Sequence, residues 1–581
     1  MKRFSGLIIF LILAACSGQS DTKSPASDAV TITVIGTNDV HGDLLAGPGK
    51  GGLATFSGYV DALRSLRSYD GALLLIDAGD MWQGTLESNL VEGRSVVEAY
   101  NAMQYTAVTI GNHEFDFGPV GRNAIPANDQ EDPRGALKER ARESKFPVLT
   151  ANIIDSSTGE IVAWDNVSPS VMVEAAGVDV GIIGLVTKGA LQVTATANTV
   201  GLEIAPLAAA TIEQARLLRA DGADIVIVTA HAGGGCEDFS DPYDASSCRS
   251  NAEIMRLARA LPTGLVDLIV AGHEHQGIAH FVNDIVVVSG FSNTHAFDRV
   301  DITVNPSNGA VLDRKIFPPQ LNCPAHNRET GDCEWLERNP AIVEPPVYEG
   351  IEVVPNLLVE AIVADAVAHT EAIKSEPLGV YLETPLIRDN TPESPIARLF
   401  TDAILEEVDA DISIHNTSGG IRADLQAGPL TFGDIYQISP FDNQVVILDM
   451  SGTELRRIIE AQATNTGRRA GFSGMRVFVD CVDGDPSVEM VLNKGHVIQD
   501  DDRVRVSTND FLATLGDGIL SPGMPAGGYQ YEPDSRMNRD LIVSWLRKRG
   551  GSLSHRDYEI TETNRRWNFS DSFVAQCQNG V

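Results

Sequence analysis

The sequence predicts an α/β fold in which a polar site lies along the carboxyl ends of buried strands. The first observation is a set of short, β-branched apolar runs, which are typical of strands buried on both faces of a sheet. The second is that a polar cluster follows each run, and open α/β sheets bind ligands at the carboxyl ends of their strands. The runs are Thr31–Thr37, Ala72–Ile76, Ala107–Ile110, Ile225–Ala230 and Leu268–Ala271.

The clusters after these runs supply carboxylate, amide and imidazole side chains that suit metal ions. They contribute Asp39, His41, Asp80, Asn112, His231, His273 and His275. Two neighbouring divalent ions need about seven or eight protein ligands, one of them shared, with open positions for water and substrate. A carboxylate bridges two ions well because both of its oxygens can bind, and Asp80, which stands between Gly79 and Gly84, is the predicted bridge.

Each cluster alone has a plainer explanation. An isolated Asp-x-His or His-x-His is usually a solvated turn, and Asn112 is a residue type that caps helices. The recurrence of such clusters after successive strands favours metal binding instead. Mixed nitrogen and oxygen ligands suit Zn, Mn, Co or Fe better than Mg, which prefers oxygen ligands and water.

Length and charge limit the class of protein. A chain of 581 residues with 43% hydrophobic residues accommodates two or three globular domains. The net charge of −35 argues against a nucleic-acid polymer as partner, because no basic stripe is present to neutralise its phosphates. A small anionic substrate would rely on the metal ions and on a few arginines.

The N-terminus predicts export and lipid attachment. Two basic residues precede the apolar stretch Leu7–Leu13, and Leu13-Ala14-Ala15-Cys16 resembles a bacterial lipobox. Residues 1–16 are therefore predicted to be a lipoprotein signal peptide that ends at a lipid-modified Cys16, and residues 17–29 to be a polar tether to the membrane. This indicates the cell envelope, in the periplasm or at the outer membrane. The alternative is an ordinary signal peptide with a chance cysteine.

The other six cysteines form an even number, as expected in an oxidising compartment. Their spacing suggests disulfide bonds between Cys236 and Cys248, between Cys323 and Cys333, and between Cys481 and Cys577. Six cysteines allow fifteen pairings, so this connectivity is a hypothesis. No Cys-x-x-Cys occurs, which argues against metal binding through sulfur.

Composition divides the chain into two units and a connector. Residues 30–305 carry every metal-ligand cluster, and residues 306–373 begin with a segment rich in Pro and Asn. A helical apolar pattern over Leu357–Ile373 fits an interdomain helix and a plain amphipathic surface helix equally well. Residues 374–581 form the second unit.

Four stretches of the first unit carry a resemblance to a known family. They are Thr37-Asn38-Asp39-Val40-His41-Gly42, Asp77-Ala78-Gly79-Asp80, Gly111-Asn112-His113-Glu114-Phe115-Asp116 and Gly272-His273-Glu274-His275. The chain resembles the bacterial 5'-nucleotidases of the calcineurin-like metallophosphoesterase superfamily. The resemblance implies a four-layer β-sandwich flanked by helices, followed by a C-terminal α/β substrate-binding domain.

The resemblance also implies how the ligands divide and which side chains are catalytic. Asp39, His41, Asp80 and His275 would hold one ion, while Asp80, Asn112, His231 and His273 would hold the other. His113 and Asp116 would form the catalytic dyad, in which the imidazole donates a hydrogen bond or proton to the developing charge and the carboxylate fixes its tautomer. The ions would lower the pKa of water from about 16 towards about 7 and so provide the nucleophile.

The second unit resembles the nucleoside-binding half of the same family. The matching stretches are Gly419-Gly420-Ile421-Arg422, Ile435-Tyr436, Pro440-Phe441-Asp442-Asn443, Asp510-Phe511 and Gly516-Asp517-Gly518. By resemblance, Phe441 and Phe511 would stack on the base, which contributes on the order of 1–3 kcal/mol per base. Without the resemblance, both rings would be interpreted as core aromatics.

Polar side chains complete the implied substrate pocket. Asp517 and Asn443 would contact the nucleoside, and Arg388 and Arg422 would reach ribose or phosphate, where a planar guanidinium suits bidentate contact. The chain departs from the family pattern at Thr417, because relatives usually carry asparagine five residues before the arginine. Here the asparagine, Asn416, lies one position upstream.

These features predict a dinuclear-metal phosphohydrolase that removes phosphate from nucleoside 5'-monophosphates and other nucleotides. A UDP-sugar hydrolase and a 2',3'-cyclic nucleotide phosphodiesterase are the catalytic alternatives. A noncatalytic nucleotide-binding surface lipoprotein is the alternative of another class, and it would require damaged metal ligands. The sequence leaves the oligomeric state open.

Overall fold

The computed structural model describes residues 29–121, 124–126, 128–334, 343–388, 393–465, 469–532 and 536–577. The predicted lipid attachment at Cys16 and the signal peptide lie outside the described residues, as does nearly all of the tether. Among the helices of the described ranges, none combines the length and the apolar character that a membrane crossing requires.

The first sheet contains three of the five predicted strands, each within one residue of its predicted bounds. Val30–Thr37, Gly71–Asp77 and Ala107–Thr109 are parallel neighbours at its centre. In spatial order the sheet comprises Ala310–Ile316, Ala296–Asn305, Val30–Thr37, Gly71–Asp77, Ala107–Thr109, Val148–Leu149 and Val167–Ser168, with Gln320–Leu321 paired to Ala296–Asn305.

The second sheet contains the other two predicted strands, Ile225–His231 and Leu268–Ala271, which pair in parallel. In spatial order it comprises Gly277–Val282, Ile285–Gly290, Leu268–Ala271, Ile225–His231, Val178–Val186 and Ser170–Ala175. A small third sheet comprises Leu202–Ile204, Ile153–Asp155 and Glu160–Ile161.

The two large sheets pack face to face, and helices cover their outer faces. Val34 of the first sheet and Ile182 of the second share one buried cluster between the sheets. Ile35 points the opposite way, because side chains alternate along a strand, and it shares a cluster with the helix residue Phe56. On the far side, Ile183 packs with helix residues of a further cluster. This is the predicted four-layer sandwich.

The main helices of this domain follow the strands in chain order. They are Gly52–Arg67, Leu86–Asn89, Arg94–Met103, Gly135–Glu143, Thr196–Thr199, Leu207–Ala220 and Glu253–Ala260. Gly52–Arg67, Arg94–Met103 and Gly135–Glu143 cover the first sheet, and Leu207–Ala220 and Glu253–Ala260 cover the second.

The sandwich extends past residue 305, which is the predicted end of the first unit. Ala310–Ile316 pairs antiparallel with Ala296–Asn305 as an edge strand. Its mostly exposed side chains gave no buried-strand pattern. The helix Leu357–Lys374 packs Val359 and Val363 into the N-terminal core, and its bounds match the predicted helical pattern to one residue.

The C-terminal domain is an α/β unit with three sheets. Their strands, in spatial order, are Gly428–Thr431, Pro377–Leu382 and Gly551–Leu553; Gly471–Ser473, Ile412–His415, Arg503–Asn509, Val445–Ser451 and Gln530–Tyr531; and Asp485–Leu492, Met475–Val482 and Trp567–Phe569. Its helices are Pro395–Glu407, Thr417–Gly420, Phe432–Ile438, Gly452–Thr464, Asp510–Ala513 and Asn538–Arg549.

Three disulfide bonds join the cysteines in the pairs that the spacing suggests. Cys236 is bonded to Cys248 and Cys323 to Cys333, each within a short surface segment. Cys481 is bonded to Cys577, which ties the end of the described chain to the strand Met475–Val482. The predicted connectivity is confirmed.

Candidate active site

The predicted metal ligands converge at the carboxyl ends of the strands in two groups. Asp39, His41 and His275 form one group, and Asp80, His231 and His273 form the other. Within each group the ligand atoms lie within 4.8 Å of one another. All but the two histidines of the last turn, His273 and His275, are almost fully buried. The strand order therefore assembles ligands that are more than 200 positions apart in the chain.

The turns that present these ligands have unusual backbone conformations. Positive φ angles occur at Asp39 (48°), His41 (51°), Asp80 (56°), His273 (81°) and His275 (56°). A non-glycine residue in this left-handed region costs of order 1–3 kcal/mol and tends to occur at functional sites. The close approach of Gly111 to Asp80 leaves no room for a Cβ atom, which explains the glycine before Asn112.

Hydrogen bonds fix which ring nitrogen of the buried histidines faces the site. Nδ1 of His41 lies 2.9 Å from the Gln83 carbonyl oxygen, and Nδ1 of His231 lies 2.8 Å from the Ala78 carbonyl oxygen. A carbonyl only accepts, so Nδ1 carries a proton, and in the neutral form of either imidazole Nε2 presents the lone pair. This tautomer is the one that a metal ligand requires.

The atoms around these lone pairs suit a cation. Nε2 of His231 lies 3.1 Å from Asp80 Oδ2, 3.0 Å from Asn112 Oδ1 and 3.1 Å from His273 Nδ1. Nε2 of His41 likewise lies 3.1 Å from Nε2 of His275. Electron-rich atoms at such distances repel one another unless a proton or a cation lies between them, so the donor set fits divalent ions.

Asn112 does not act as a helix cap. Although it precedes the short 3₁₀ helix His113–Phe115, its side chain makes no capping hydrogen bond. Its carboxamide oxygen faces His231 instead. The capping alternative is therefore wrong, and the Asn112 oxygen lies beside the second group of candidate ligands.

The charges of the ligands are strongly coupled. Burial disfavours a protonated His231, but the carboxylates of Asp80 and Asp39 outweigh burial and raise its pKa to about 10. Burial likewise disfavours an ionised Asp80, yet the facing imidazoles His231 and His113 hold its pKa well below the ordinary value. The buried carboxylates thus demand positive charge, which divalent ions would provide.

Two buried side chains hydrogen-bond to the turns that carry the candidate ligands. No role was predicted for either of them. Glu114 accepts hydrogen bonds from the backbone N–H groups of Asp80 (2.9 Å), Met81 (2.8 Å) and Gly111 (2.7 Å). Asn38 donates to Asp39 Oδ2 at 2.7 Å. Both belong to the quoted motifs, so membership of a motif was the available signal.

The two side chains of the predicted dyad, His113 and Asp116, are in contact, and a third side chain contacts Asp116. His113 Nδ1 lies 2.5 Å from Asp116 Oδ2, while His113 Nε2 lies 4.0 Å from Asp80 Oδ2. Thr194 donates to the other oxygen of Asp116 at 2.7 Å. Despite burial, Asp116 and Asp80 raise the pKa of His113 above its ordinary value. No local sequence pattern pointed to Thr194.

One large cavity of about 730 Å³ joins the ligand groups to the C-terminal domain. Every predicted substrate-binding side chain lines it, namely Arg388, Arg422, Phe441, Asn443, Phe511 and Asp517. His113, Asp116, Asp80, Asn112, His273 and His275 line the same space. The remaining ligands Asp39, His41 and His231 are buried behind this surface.

The two domains meet inside this cavity. The ring of Phe441 lies 5.8 Å from that of His113, centroid to centroid, with 26° between their planes. The guanidinium of Arg422 lies 5.6 Å from the Phe441 ring centroid, and its Nη2 is 3.4 Å from His41 Nε2. An aromatic ring of the C-terminal domain therefore reaches the candidate dyad residue His113, and an arginine of that domain reaches the candidate metal ligand His41.

Further cavity residues were missed from the sequence. Asn416 donates to Asp517 Oδ2 at 2.9 Å, whereas the displaced Thr417 is buried and its hydroxyl has no hydrogen-bond partner among the described residues. Tyr529 and Tyr531 also line the cavity. Tyr531 lies in the two-residue strand Gln530–Tyr531 and Tyr529 directly precedes it, so the segment is too short to give a pattern in the sequence.

Two family models match the chain. The model described as "Calcineurin-like phosphoesterase" matches residues 32–277, which include every candidate metal ligand. The model described as "5'-nucleotidase, C-terminal domain" matches residues 367–522, which include all the predicted substrate-binding residues. The two matched segments correspond to the two domains of the structure.

Known proteins are similar over most of the chain. Endonuclease YhcR of Bacillus subtilis is 25% identical over 91% of this chain, which spans only 40% of that protein. A 5'-nucleotidase of Vibrio cholerae is 24% identical, over 89% of this chain and 91% of that protein. The crystal structure of a 5'-nucleotidase precursor from Thermus thermophilus has a TM-score of 0.69 at 22% identity, over 93% of this chain and 99% of that one.

The sandwich, its ligand-bearing strand ends and the first family model together define a metallophosphoesterase. The second family model identifies the C-terminal unit as a 5'-nucleotidase C-terminal domain. The chain combines a calcineurin-like phosphoesterase domain with a 5'-nucleotidase C-terminal domain, and it is similar to 5'-nucleotidases over most of its length.

Proposed function

We propose that this protein removes phosphate from nucleoside 5'-monophosphates, and from other nucleotides, with two divalent metal ions. The observation that carries the proposal is the shared cavity, in which the candidate dyad residue His113 lies beside the aromatic ring of Phe441. One phosphoester placed between these side chains would have its phosphate at the metal ligands and its base within reach of the C-terminal aromatics.

The ligands would divide as the family pattern implies. Asp39, His41, Asp80 and His275 would hold one ion, and Asp80, Asn112, His231 and His273 the other. When bound, the ions would neutralise the phosphoryl oxygens and lower the pKa of water to about 7. Nitrogen and oxygen ligands favour Zn, Mn, Co or Fe over Mg.

His113 would serve the leaving group. Its Nδ1 is engaged by Asp116, which leaves Nε2 to donate a hydrogen bond or proton to the oxygen that becomes the nucleoside hydroxyl. Asp116 is in turn oriented by Thr194. This chain of contacts fixes the tautomer and ring direction of His113, so the proton is presented to one place in the cavity.

The C-terminal domain would recognise the nucleoside. Phe441 and Phe511 would stack on the base, which is sequence-tolerant because every base has a π-face. Asp517, oriented by Asn416, would accept from the nucleoside hydroxyls together with Asn443. Arg388 and Arg422 would bind phosphate or ribose, and the half-buried guanidinium of Arg422 next to His41 favours the phosphate.

The alternatives predict different substrates or none. A UDP-sugar hydrolase would prefer a phosphoanhydride, and a 2',3'-cyclic nucleotide phosphodiesterase would prefer a cyclic diester. A noncatalytic binding protein is disfavoured because it would require damaged metal ligands. All seven candidate ligands are present here: six form the two groups, and Asn112 lies beside the second group. A nucleic-acid polymer remains disfavoured by the net charge of −35.

The site of action would be the cell envelope. The lipobox at Cys16 supports a lipid anchor in the periplasm or at the outer membrane, and the three disulfide bonds support an oxidising compartment. Radiolabelled palmitate incorporation into wild-type protein but not into Cys16→Ser would test the anchor.

The function is tested by phosphate release from AMP, UMP, ATP, UDP-glucose and 2',3'-cyclic AMP, using protein without residues 1–16. Each assay is run with Mn, Zn, Co or a chelator. Chelator-sensitive hydrolysis of AMP and UMP, abolished by Asp80→Ala, is the expected result. Folded, metal-loaded protein that releases no phosphate from any of them would contradict the proposal, and a preference for UDP-glucose or the cyclic nucleotide would favour the matching alternative.

A further inference from the structure

The loop that carries Phe441 has an unusual set of backbone contacts. It joins the helix Phe432–Ile438 to the strand Val445–Ser451 and has no regular structure of its own. The carbonyl oxygens of Ser439, Pro440 and Phe441 each accept a hydrogen bond from a side chain instead. The position of the aromatic ring therefore depends on side chains that are distant in the sequence.

Arg539 supplies two of these hydrogen bonds and an ion pair. Its Nη1 donates to the Ser439 oxygen at 3.2 Å and to the Phe441 oxygen at 3.3 Å. Its Nη2 lies 2.6 Å from Asp442 Oδ1. The guanidinium also lies 4.4 Å from the ring centroid of Tyr436. One side chain thus holds the residues before, at and after the aromatic ring.

The middle carbonyl faces the other domain. The Pro440 oxygen accepts from Asn89 Nδ2 at 3.2 Å and from Gln83 Nε2 at 3.4 Å, both in the N-terminal domain. Arg539 thus binds the first and third carbonyl oxygens of the loop, and side chains of the other domain bind the second. Three side chains donate to these three carbonyl oxygens. Arg539 is the one that belongs to the same domain as the loop.

The setting of Arg539 indicates a specific role. The residue is 6% exposed, and it lies in the first turn of the helix Asn538–Arg549, where the helix dipole disfavours a cation. A lysine could not reproduce two carbonyl contacts and an ion pair from one planar fork. The unfavourable interaction with the helix dipole is offset by the contacts of the guanidinium. These contacts go to the Phe441 loop and to Tyr436, with one further contact to Met537.

We propose that Arg539 is a positioning residue for nucleobase recognition, which acts by holding the Phe441 ring at the base-stacking position. The inference rests on the proposed function in that Phe441 must contact the base. It assigns selectivity for nucleoside phosphates over other phosphoesters to a side chain that is not itself placed to touch substrate.

Adenosine binding measured by calorimetry tests the proposal independently of phosphate chemistry. The proteins are the wild type, Arg539→Lys, Phe441→Ala, the double variant, and Arg547→Lys as control. Arg547 lies on the same helix but forms a partly exposed ion pair with Glu376. Loss of base stacking predicts that Kd rises about tenfold in Arg539→Lys and in Phe441→Ala, and stays within about twofold in the control.

The double variant separates positioning from a general structural role. If Arg539 acts through Phe441, adding Arg539→Lys to Phe441→Ala causes no further loss. In hydrolysis assays Arg539→Lys should raise KM for AMP about tenfold and leave ribose 5-phosphate, which has no base, within about twofold. Additive losses in the double variant, or equal losses for both substrates, would overturn the proposal.

Two controls keep the test decisive. If Arg539→Lys does not fold, Asp442→Asn weakens the ion pair alone, and an adenosine Kd about threefold higher that disappears in the Phe441→Ala background is expected. Wild-type protein that binds adenosine but does not hydrolyse AMP contradicts only the proposed function. Wild-type protein that does not bind adenosine overturns the inference about Arg539.

Discussion

His113 and Phe441 belong to different domains, yet their rings lie 5.8 Å apart, centroid to centroid, and within 26° of parallel. His113 is held by Asp116 in the N-terminal domain, and Phe441 is carried by a loop of the C-terminal domain. Because the contact spans the domain boundary, a shift of either domain would alter the distance between the two rings. In the proposed function, this closeness would place the candidate proton donor and the candidate base-stacking ring at one substrate.

Weakening the brace at Glu114 should lower metal affinity without removing a ligand. The two carboxylate oxygens of Glu114 accept hydrogen bonds from three backbone N–H groups. Glu114→Gln keeps the size of the side chain but replaces one of these oxygens with an NH₂ group, which donates. Loss of such support around a metal site typically costs about 10- to 100-fold in affinity. Competition with a chelating dye measures the effect. The exposed strand residue Glu203 provides the control Glu203→Gln, and equal affinities in the two variants would contradict the bracing role.

Removing the charge at Asp116 should reduce kcat more than KM. Asp116→Asn leaves His113 without the carboxylate that fixes its tautomer, and we expect kcat for AMP to fall by about 10²–10⁴. Thr194→Val removes only one hydrogen bond to Asp116 and should cost about tenfold or less. Steady-state kinetics on metal-loaded protein measures both. A larger loss in Thr194→Val than in Asp116→Asn would show that the proposed hierarchy is wrong.

The buried Asp77 should make stability fall as pH rises. Burial outweighs its hydrogen bonds from Thr37 and Tyr100 and raises its pKa from 3.8 to about 8. Because the folded state holds the proton more tightly, its stabilising contribution is complete below about pH 4 and is lost as pH rises towards 8, at up to about 1.4 kcal/mol per pH unit.

Asp77→Asn should remove this pH dependence, since an amide does not titrate. Urea unfolding of wild type and variant at pH 5 and pH 8 measures the difference in the free energy of unfolding. We expect the variant to gain relative to the wild type at the higher pH. A constant difference between the two proteins across this range would mean that Asp77 is ionised in the folded state.

The disulfide bonds should differ in their contribution to stability. Cys481 and Cys577 are 96 positions apart, while Cys323 and Cys333 are 10 apart. The entropy of loop closure predicts about 4–5 kcal/mol for the longer loop and about 2–3 kcal/mol for the shorter one. Urea unfolding of the Cys481→Ser/Cys577→Ser and Cys323→Ser/Cys333→Ser proteins measures the loss in the free energy of unfolding. An equal or larger loss in the second protein would contradict the prediction.

The strands and the metal ligands were predictable because their signals are local. Leu268–Ala271 is a continuous apolar run buried on both faces, and its bounds follow from composition alone. The edge strand Ala310–Ile316 was not predicted, because its side chains are mostly exposed and pack against little. Burial on both faces, and not strand character itself, is what the sequence pattern reports.

The side chains that support the site were not predictable in the same way. Thr194 and Arg539 act on residues 78 and about 100 positions away, so nothing near them in the sequence indicates their partners. The left-handed backbone at Asp39 and His275 also had no signal, since these residue types do not by themselves require it. Such features follow from the packing of the two sheets and the two domains.

The division of the cavity between two domains separates reactivity from choice of substrate. Every candidate ion ligand precedes residue 276, and every proposed contact to the nucleoside follows residue 387. Substitutions in the later segment, apart from those at side chains that reach the first domain, such as Arg422, leave the candidate ion ligands untouched. Substitutions in the second half of such a protein could therefore change which phosphoesters are accepted, while the first half keeps its chemistry.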